Sequence, residues 1–266
     1  MQKGIMAFPT TAAKNSLAKT GVRPHPEKPY ATNIDGALSM RFHAGAIQSR
    51  MRVEQPDDLV LDYTRLLMGF QLFNAHATRI AMIGLGGGSI AKYCLRYLPL
   101  EKFTAVEINP EVIAMREQFC IPPDSERFQV IEGNGSDFVK SCADEFDVLM
   151  VDAFTQEGMP AQVCNPAFYD HCFSRLSAEG VLALNFHGSE ENFGLYVARL
   201  RESFNDKVIC IETDALTNRV VFAGRGATFP ARRAVLRARA ALLTKSQPIN
   251  FHAIARKILA RARDTF

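Results

Sequence analysis

Four glycines fall within five positions, Gly84, Gly86, Gly87 and Gly88, and an acid, Glu107, follows about 20 residues further on. Glycine has no Cβ, so this stretch can turn tightly and let a ligand come close to the main chain. A helix entered from such a turn points unpaired N–H groups at whatever lies over it. A carboxylate closing the next strand is placed to accept hydrogen bonds from both hydroxyls of a ribose. Two further polar residues sit at comparable points downstream. Asn134 in "IEGNGSDF" has an amide that can face the edge of a base, and Asp152 lies in "VDAF". The combination implies a ligand containing a nucleoside. The competing reading is that the glycines serve only the packing of strand on helix.

These residues need elements to hold them. The segments "RIAMIG", "KFTAVEI", "FQVIEG", "FDVLMVDAF" and "VLALNFH" read as strands, and "SIAKYCLRYL", "PEVIAMREQF", "SDFVKSCA", "NPAFYDHCFSRL" and "FGLYVARLRESF" read as helices between and after them. That alternation predicts a parallel sheet covered on both faces. The last two strands, "VICIET" and "RVVFAG", are joined only by "DALTN", which suggests a hairpin adding an antiparallel strand. The chain divides into an irregular arm over 1–30, a β-hairpin region plus helix over 31–75, a Rossmann-like nucleoside-binding domain over 76–226 and a basic helical tail over 227–266. The helix of the second region is expected over "DDLVLDYTRLLMGFQLFN" with an Asp cap. A dinucleotide turn would read G-x-G-x-x-G, but its last position here is Ser89, a cap or first-turn residue. Glu, Asn and Asp at three successive strand ends suit a methyltransferase-like nucleoside pocket better.

Apolar residues make up 47% of the chain and mean hydropathy is −0.04, which places it in the soluble globular class. No apolar run reaches the ~20 residues of a bilayer span, and the first 30 residues lack a secretory h-region. A cytoplasmic location and no membrane partner are expected. The six cysteines read as small apolar residues, and the histidines and cysteines show no ligand spacing, so no metal is predicted. From Ala231 onward nine Lys and Arg face one acid. Without interleaved aromatics, that reads as a solvated face of packed helices, not a nucleic-acid site.

From about Ile34 to Gly224 the sequence resembles the spermidine synthase (polyamine aminopropyltransferase) family, in a divergent subgroup. The likeness rests on "AGAIQSR", the glycine turn, "VEINPEVI", "EGNGSDF", "FDVLMVDAF" and "NPAFYDHCFSRLSAEGVLALN". The resemblance implies an α/β, class I methyltransferase-like, doubly wound and mostly parallel seven-stranded sheet. It also implies decarboxylated S-adenosylmethionine as donor, a small-molecule amine as acceptor and a homodimer. Carried over, Gln48 resembles the glutamine that contacts the donor and Glu107 the ribose acid. Asn134 stands in place of an adenine-contacting aspartate, its amide oxygen an acceptor for the exocyclic amine. The glycines, Ile108 and Gly135 complete the nucleoside pocket. Asp152 resembles the first acid of the family's D-S-x-D-P loop, and Tyr63 falls near its Tyr-His pair.

Two departures bear on catalysis. Gly87 replaces the aspartate of G-G-G-D-G, and Thr155 replaces the second acid of D-S-x-D-P, so the catalytic set is Asp152, Tyr63 and Thr155. An amine is cationic at neutral pH, needs carboxylates to hold it and needs a group to take its proton. The donor half of the site is thus kept and the acceptor half rebuilt. Asp62, Asp137 and Glu157 are candidate replacements, each more readily a surface acid or helix cap. His187, at a strand end, is a candidate base, more commonly a loop-bonded histidine, while Tyr169 and His171 read as packing. The alternatives are a methyltransferase using S-adenosylmethionine and a non-catalytic nucleoside-binding protein.

Overall fold

The computed structural model describes residues 28–42, 47–154 and 158–261. Thr155, Glu157 and nearly all of the expected arm lie outside the described residues. Three short strands, β1 (Tyr30–Ile34), β2 (Ala37–Arg41) and β3 (Ser49–Arg52), form an antiparallel sheet in chain order. Asp35 and Gly36 both take positive φ, 50° and 73°, which is the geometry of a two-residue hairpin turn. One face of this sheet buries Leu38, Met40 and Met51 in the core.

The following helix, α1 (Asp62–Leu67), starts later than the sequence suggests and tightens into a 3-10 turn over Met68–Leu72. Asp57 and Asp58 do not cap it. Asp58 N–H closes a turn onto Gln55 around Pro56, and the Asp58 carboxylate pairs with Arg52 at 3.3 Å.

The main body alternates strand and helix. In order it comprises β4 (Arg79–Ile83), α2 (Ser89–Tyr97), β5 (Lys102–Glu107), α3 (Pro110–Ala114), β6 (Phe128–Glu132), α4 (Gly135–Ser141) and β7 (Phe146–Val151). Then come α5 (Pro166–Arg175), β8 (Leu176–His187), α6 (Phe193–Ser203), β9 (Val208–Glu212) and β10 (Asn218–Gly224). The strands make one seven-stranded sheet in the order β6-β5-β4-β7-β8-β10-β9. The first five are parallel, and β10 runs antiparallel to both its neighbours. Strand–helix alternation thus gives the expected mostly parallel sheet, and the short "DALTN" link gives the expected hairpin. The parallel strands are apolar on both faces because both are covered. Ile80, Met82, Phe103, Val148 and Met150 face one layer, and Ala81, Ile83, Val106, Leu149 and Val151 face the other.

Two C-terminal helices, α7 (Arg233–Ser246) and α8 (Phe251–Arg261), belong to the first of these layers through Leu236, Ala240, Phe251, Ile254 and Ile258. Between them Gln247 exchanges hydrogen bonds with Gln71 (2.7 and 3.2 Å) and accepts one from Tyr93 Oη at 2.8 Å, all three side chains being buried. Arg233 and Arg237 point outward. The six cysteines are free. Cys94, Cys164 and Cys172 are buried as expected, whereas Cys120 is exposed. Among the described residues no helix is long and apolar enough to cross a membrane.

Candidate active site at the carboxyl ends of the strands

The parallel sheet brings Gly84, Glu107, Gly133–Asn134 and Asp152 to one edge, since each follows or closes a neighbouring strand in register. Open α/β sheets bind ligands at this edge. Gly84 has φ of +93°, and a Cβ there would collide with the main-chain oxygen of Asp152, so the crossover of β4 against β7 itself demands glycine. Gly87 and Gly88 are likewise filled by protein. A Cβ on Gly87 would stand 2.7 Å from Ser49 Oγ and 2.8 Å from Phe119 Cδ1, and one on Gly88 2.5 Å from Ile121. Position 87 therefore has no room for the aspartate of the related turn. Gly86, with φ of +51°, would place a Cβ no closer than 3.7 Å to its nearest neighbour, Ser49. The turn is thus part packing device and part open cradle. Gln48 immediately precedes Ser49, and its N–H is bonded to Met40 O at 3.0 Å.

Glu107 is 8% exposed. Its Oε2 accepts from Leu85 N and its Oε1 from Asn109 N, both at 2.9 Å. The carboxylate therefore clasps the glycine turn with one oxygen and the entry to α3 with the other. Each carboxylate oxygen accepts about two bonds, so each keeps one further acceptor direction. Ile108, next along the chain, is 66% exposed, an apolar side chain left at the ligand edge.

Asn134 departs from the role expected of its oxygen. Oδ1 accepts from Ser136 N (2.8 Å) and Asp137 N (3.3 Å), capping α4. The oxygen is consumed, and the atom left for a base edge is the donor Nδ2. Gly135 cannot carry a side chain, because a Cβ would collide with Ile83.

Asp152 is the centre of a polar cluster. Tyr63 Oη donates to its Oδ2 at 3.0 Å, and Asn185 Nδ2 donates to its Oδ1 at 2.9 Å. Burial raises the carboxyl above its ordinary range, the two donors oppose that, and the nearby charge of Glu107 adds to it. Tyr63 is held well above the usual phenol range, by burial first and by Asp152 second. Tyr63 thus meets Asp152 across 89 residues of sequence.

Several expected alternatives stay apart. Asp62 is exposed and pairs with Arg65, and Asp137 is exposed in the first turn of α4. His187 is exposed and bonds Ser189 at 2.7 Å. Tyr169 is fully buried, as packing requires. Other residues carry roles that no local pattern signals. Asn185 looks like a strand residue, 1% exposed, until β7 and β8 are paired. Glu190 accepts from Met159 N at 3.3 Å and so ties the loop after β8 to the segment after Asp152. Lys92 is 3% exposed and donates to Phe119 O (2.5 Å) and Met51 Sδ (2.9 Å), holding β3 and the segment after α3 against α2. A cavity of about 310 Å³ lined by Arg201, Cys210, Glu212, Arg219 and Arg261 lies at the far β9 edge and shares no residue with this cluster.

Comparisons with known proteins bear on the family and the fold. Residues 61–193 match the spermine/spermidine synthase domain. A polyamine aminopropyltransferase of Neisseria meningitidis is 32% identical over 216 residues, covering 80% of this chain and 82% of the relative. One from Chromobacterium violaceum is 35% identical over 188 residues, with 70% and 72% covered. Among solved structures, a probable spermidine synthase from Corynebacterium glutamicum superposes with a TM-score of 0.67 at 18% identity, covering 80% of this chain and 83% of that one. Human methyltransferase-like protein 13 in complex with SAH superposes with a TM-score of 0.64 at 21% identity, covering 70% and 92%. At those identities the two structures speak to the fold.

Proposed function

This chain belongs to the spermine/spermidine synthase domain family, and from that premise we propose that it transfers an aminopropyl group from decarboxylated S-adenosylmethionine to a small amine. The observation that carries the reading is Asp152. It is a carboxylate raised by burial at the ligand edge, and the groups acting on it are Asn185, Tyr63 and Glu107, none of them a cation. A part-buried anion with hydrogen-bond donors but no cation beside it is costly, and a protonated amine supplies the missing charge.

In this scheme Glu107 receives the ribose hydroxyls on its two remaining acceptor directions, Ile108 lies along the base and Gly86 leaves the main chain open to the donor. Asp152 attracts the ammonium and takes its proton. The freed amine nitrogen attacks the carbon bound to sulfur, the C–N bond forms, and the C–S pair returns to the sulfonium, leaving methylthioadenosine. Little beyond alignment and proton removal is needed. Glu107 and Asp152 also disfavour a donor carrying its own carboxylate, which supports the decarboxylated form. One feature keeps the methyltransferase reading alive: position 87 excludes the acid found in the related turn, so the acceptor site offers one carboxylate fewer.

The test is mass spectrometry of products formed with decarboxylated S-adenosylmethionine and a panel of mono- and diamines. Methylthioadenosine should appear together with an aminopropylated amine, and Asp152→Asn should lower kcat/KM by about 100- to 10,000-fold. Absence of product with every amine, or an undiminished Asp152→Asn enzyme, overturns the proposal.

A further inference from the structure

We propose that Asn185 and Asn218 are positioning residues, a two-amide relay that aims the Asp152 carboxylate and holds it ionised. This deepens the proposed reaction and rests on Asp152 being its acceptor acid.

Asn185 Nδ2 donates to Asp152 Oδ1 at 2.9 Å, and Asn218 Nδ2 donates to Asn185 Oδ1 at 3.0 Å. Asn218 opens β10, and its main chain is pinned by Thr213. Asn218 N donates to Thr213 Oγ1 at 3.1 Å, and Asn218 O accepts from Thr213 N at 3.0 Å and Thr213 Oγ1 at 3.2 Å. Asn185 is 1% exposed, so its amide cannot trade these partners for water, and Thr213, 2% exposed, holds the main chain of the half-buried Asn218.

An amide side chain is nearly symmetric in shape, and its neighbours decide which end faces which way. A donor behind Asn185 fixes its oxygen backward and its NH₂ forward. Asp152 then meets a donor, which suits a carboxylate and not a carboxylic acid. Tyr63 Oη supplies the same preference at the other oxygen. Burial and Glu107 push the other way. The titratable groups on β8 are Glu179, engaged by Thr228 Oγ1 at 2.9 Å, and His187, which lies two residues beyond Asn185 and is itself the ladder partner of Asn218. The histidine is replaced in the test as His187→Gln.

Asn218 bonds Asn185 and not Asp152, so its substitution acts on the carboxylate through Asn185. Asn218→Asp puts an acceptor behind Asn185 and turns that amide round, so that Asp152 faces an oxygen and its protonated form becomes the favoured one.

The experiment is a ¹³C carboxyl NMR titration of the full chain labelled at aspartate, in the His187→Gln background, with the resonance assigned by its loss in Asp152→Asn. Asn218→Asp should raise the Asp152 midpoint by about one pH unit or more, a tenfold gain in proton affinity. Asn218→Ala should raise it by a smaller amount. The acid limb of kcat/KM should move with the midpoint. A midpoint that stays within about 0.2 pH units of the parent in a cooperatively melting Asn218→Asp protein overturns the relay. An unmoved midpoint in the neutral Asn218→Ala overturns it equally, because the new charge of Asn218→Asp also raises Asp152 by repulsion. The titration uses no substrate, so it stands or falls separately from the aminopropyl assay.

Discussion

Replacing Glu107 with Gln separates two jobs that one carboxylate performs. The side chain keeps its size but loses one acceptor oxygen. In the native protein Oε2 and Oε1 are each engaged by a main-chain N–H at 2.9 Å, from Leu85 and Asn109. A glutamine must turn its NH₂ toward one of those N–H groups, leaving a buried donor unsatisfied at about 1–3 kcal/mol. For a domain of this size that lowers Tm by roughly 3–10 °C. On the ligand side, one hydrogen bond to a charged acceptor disappears and the other loses its charge. The two effects together cost about 2–4 kcal/mol, a factor of roughly 30–1,000 in Kd. Calorimetric titration of methylthioadenosine at 25 °C, beside thermal melts, reads both quantities. If Tm falls as calculated while Kd stays within about twofold, Glu107 is a clasp for the glycine turn only, and the ribose assignment fails.

Three further outcomes follow from particular contacts. Asn134→Asp keeps one oxygen for the α4 cap and frees a second as an acceptor, so an adenosyl ligand should bind roughly tenfold tighter; unchanged affinity in the same titration removes Asn134 from the base edge. Lys92 is lowered from 10.5 to about 8, chiefly by burial and against the pull of Cys120 and Asp57. Its folded pKa lies below its unfolded one, so the unfolded chain binds more protons between those values and stability rises with pH there. Urea midpoints of native protein and Lys92→Met should therefore converge or cross between pH 8 and 10 in favour of the native chain, by a free energy on the order of 2 kcal/mol, and a pH-independent gap refutes the account. Gln247→Leu strands Gln71 and Tyr93 in the core and should destabilise the whole domain by about 2–4 kcal/mol in one cooperative unfolding transition; loss of α7 and α8 helicity alone, with the rest still folded, would contradict their place in that core.

Local chemistry set much of this molecule directly. The alternation of apolar strands with amphipathic helices led to the parallel sheet, because strands covered on both faces must be apolar throughout and the helices that cover them cannot be. The "DALTN" link was too short for a crossover, so the last two strands had to run antiparallel. Glycines followed at a fixed interval by Glu107 marked the candidate ligand edge for the same reason, since a strand end and a turn are local objects. What sequence alone left open depends on contacts between distant strands. Whether Gly87 and Gly88 face a ligand or the protein is settled by Ser49, Phe119 and Ile121 arriving from elsewhere. Asn134 reads equally well as base contact or cap, and only the helix start shows its oxygen consumed. Tyr63, Asp152, Asn185 and Asn218 lie as much as 155 residues apart along the chain, and each has an ordinary local explanation. They become one cluster because β8 lies between β7 and β10 and α1 packs near the same edge. Hydrogen bonds act over about 3 Å, a distance that side-chain periodicity in a single segment does not encode.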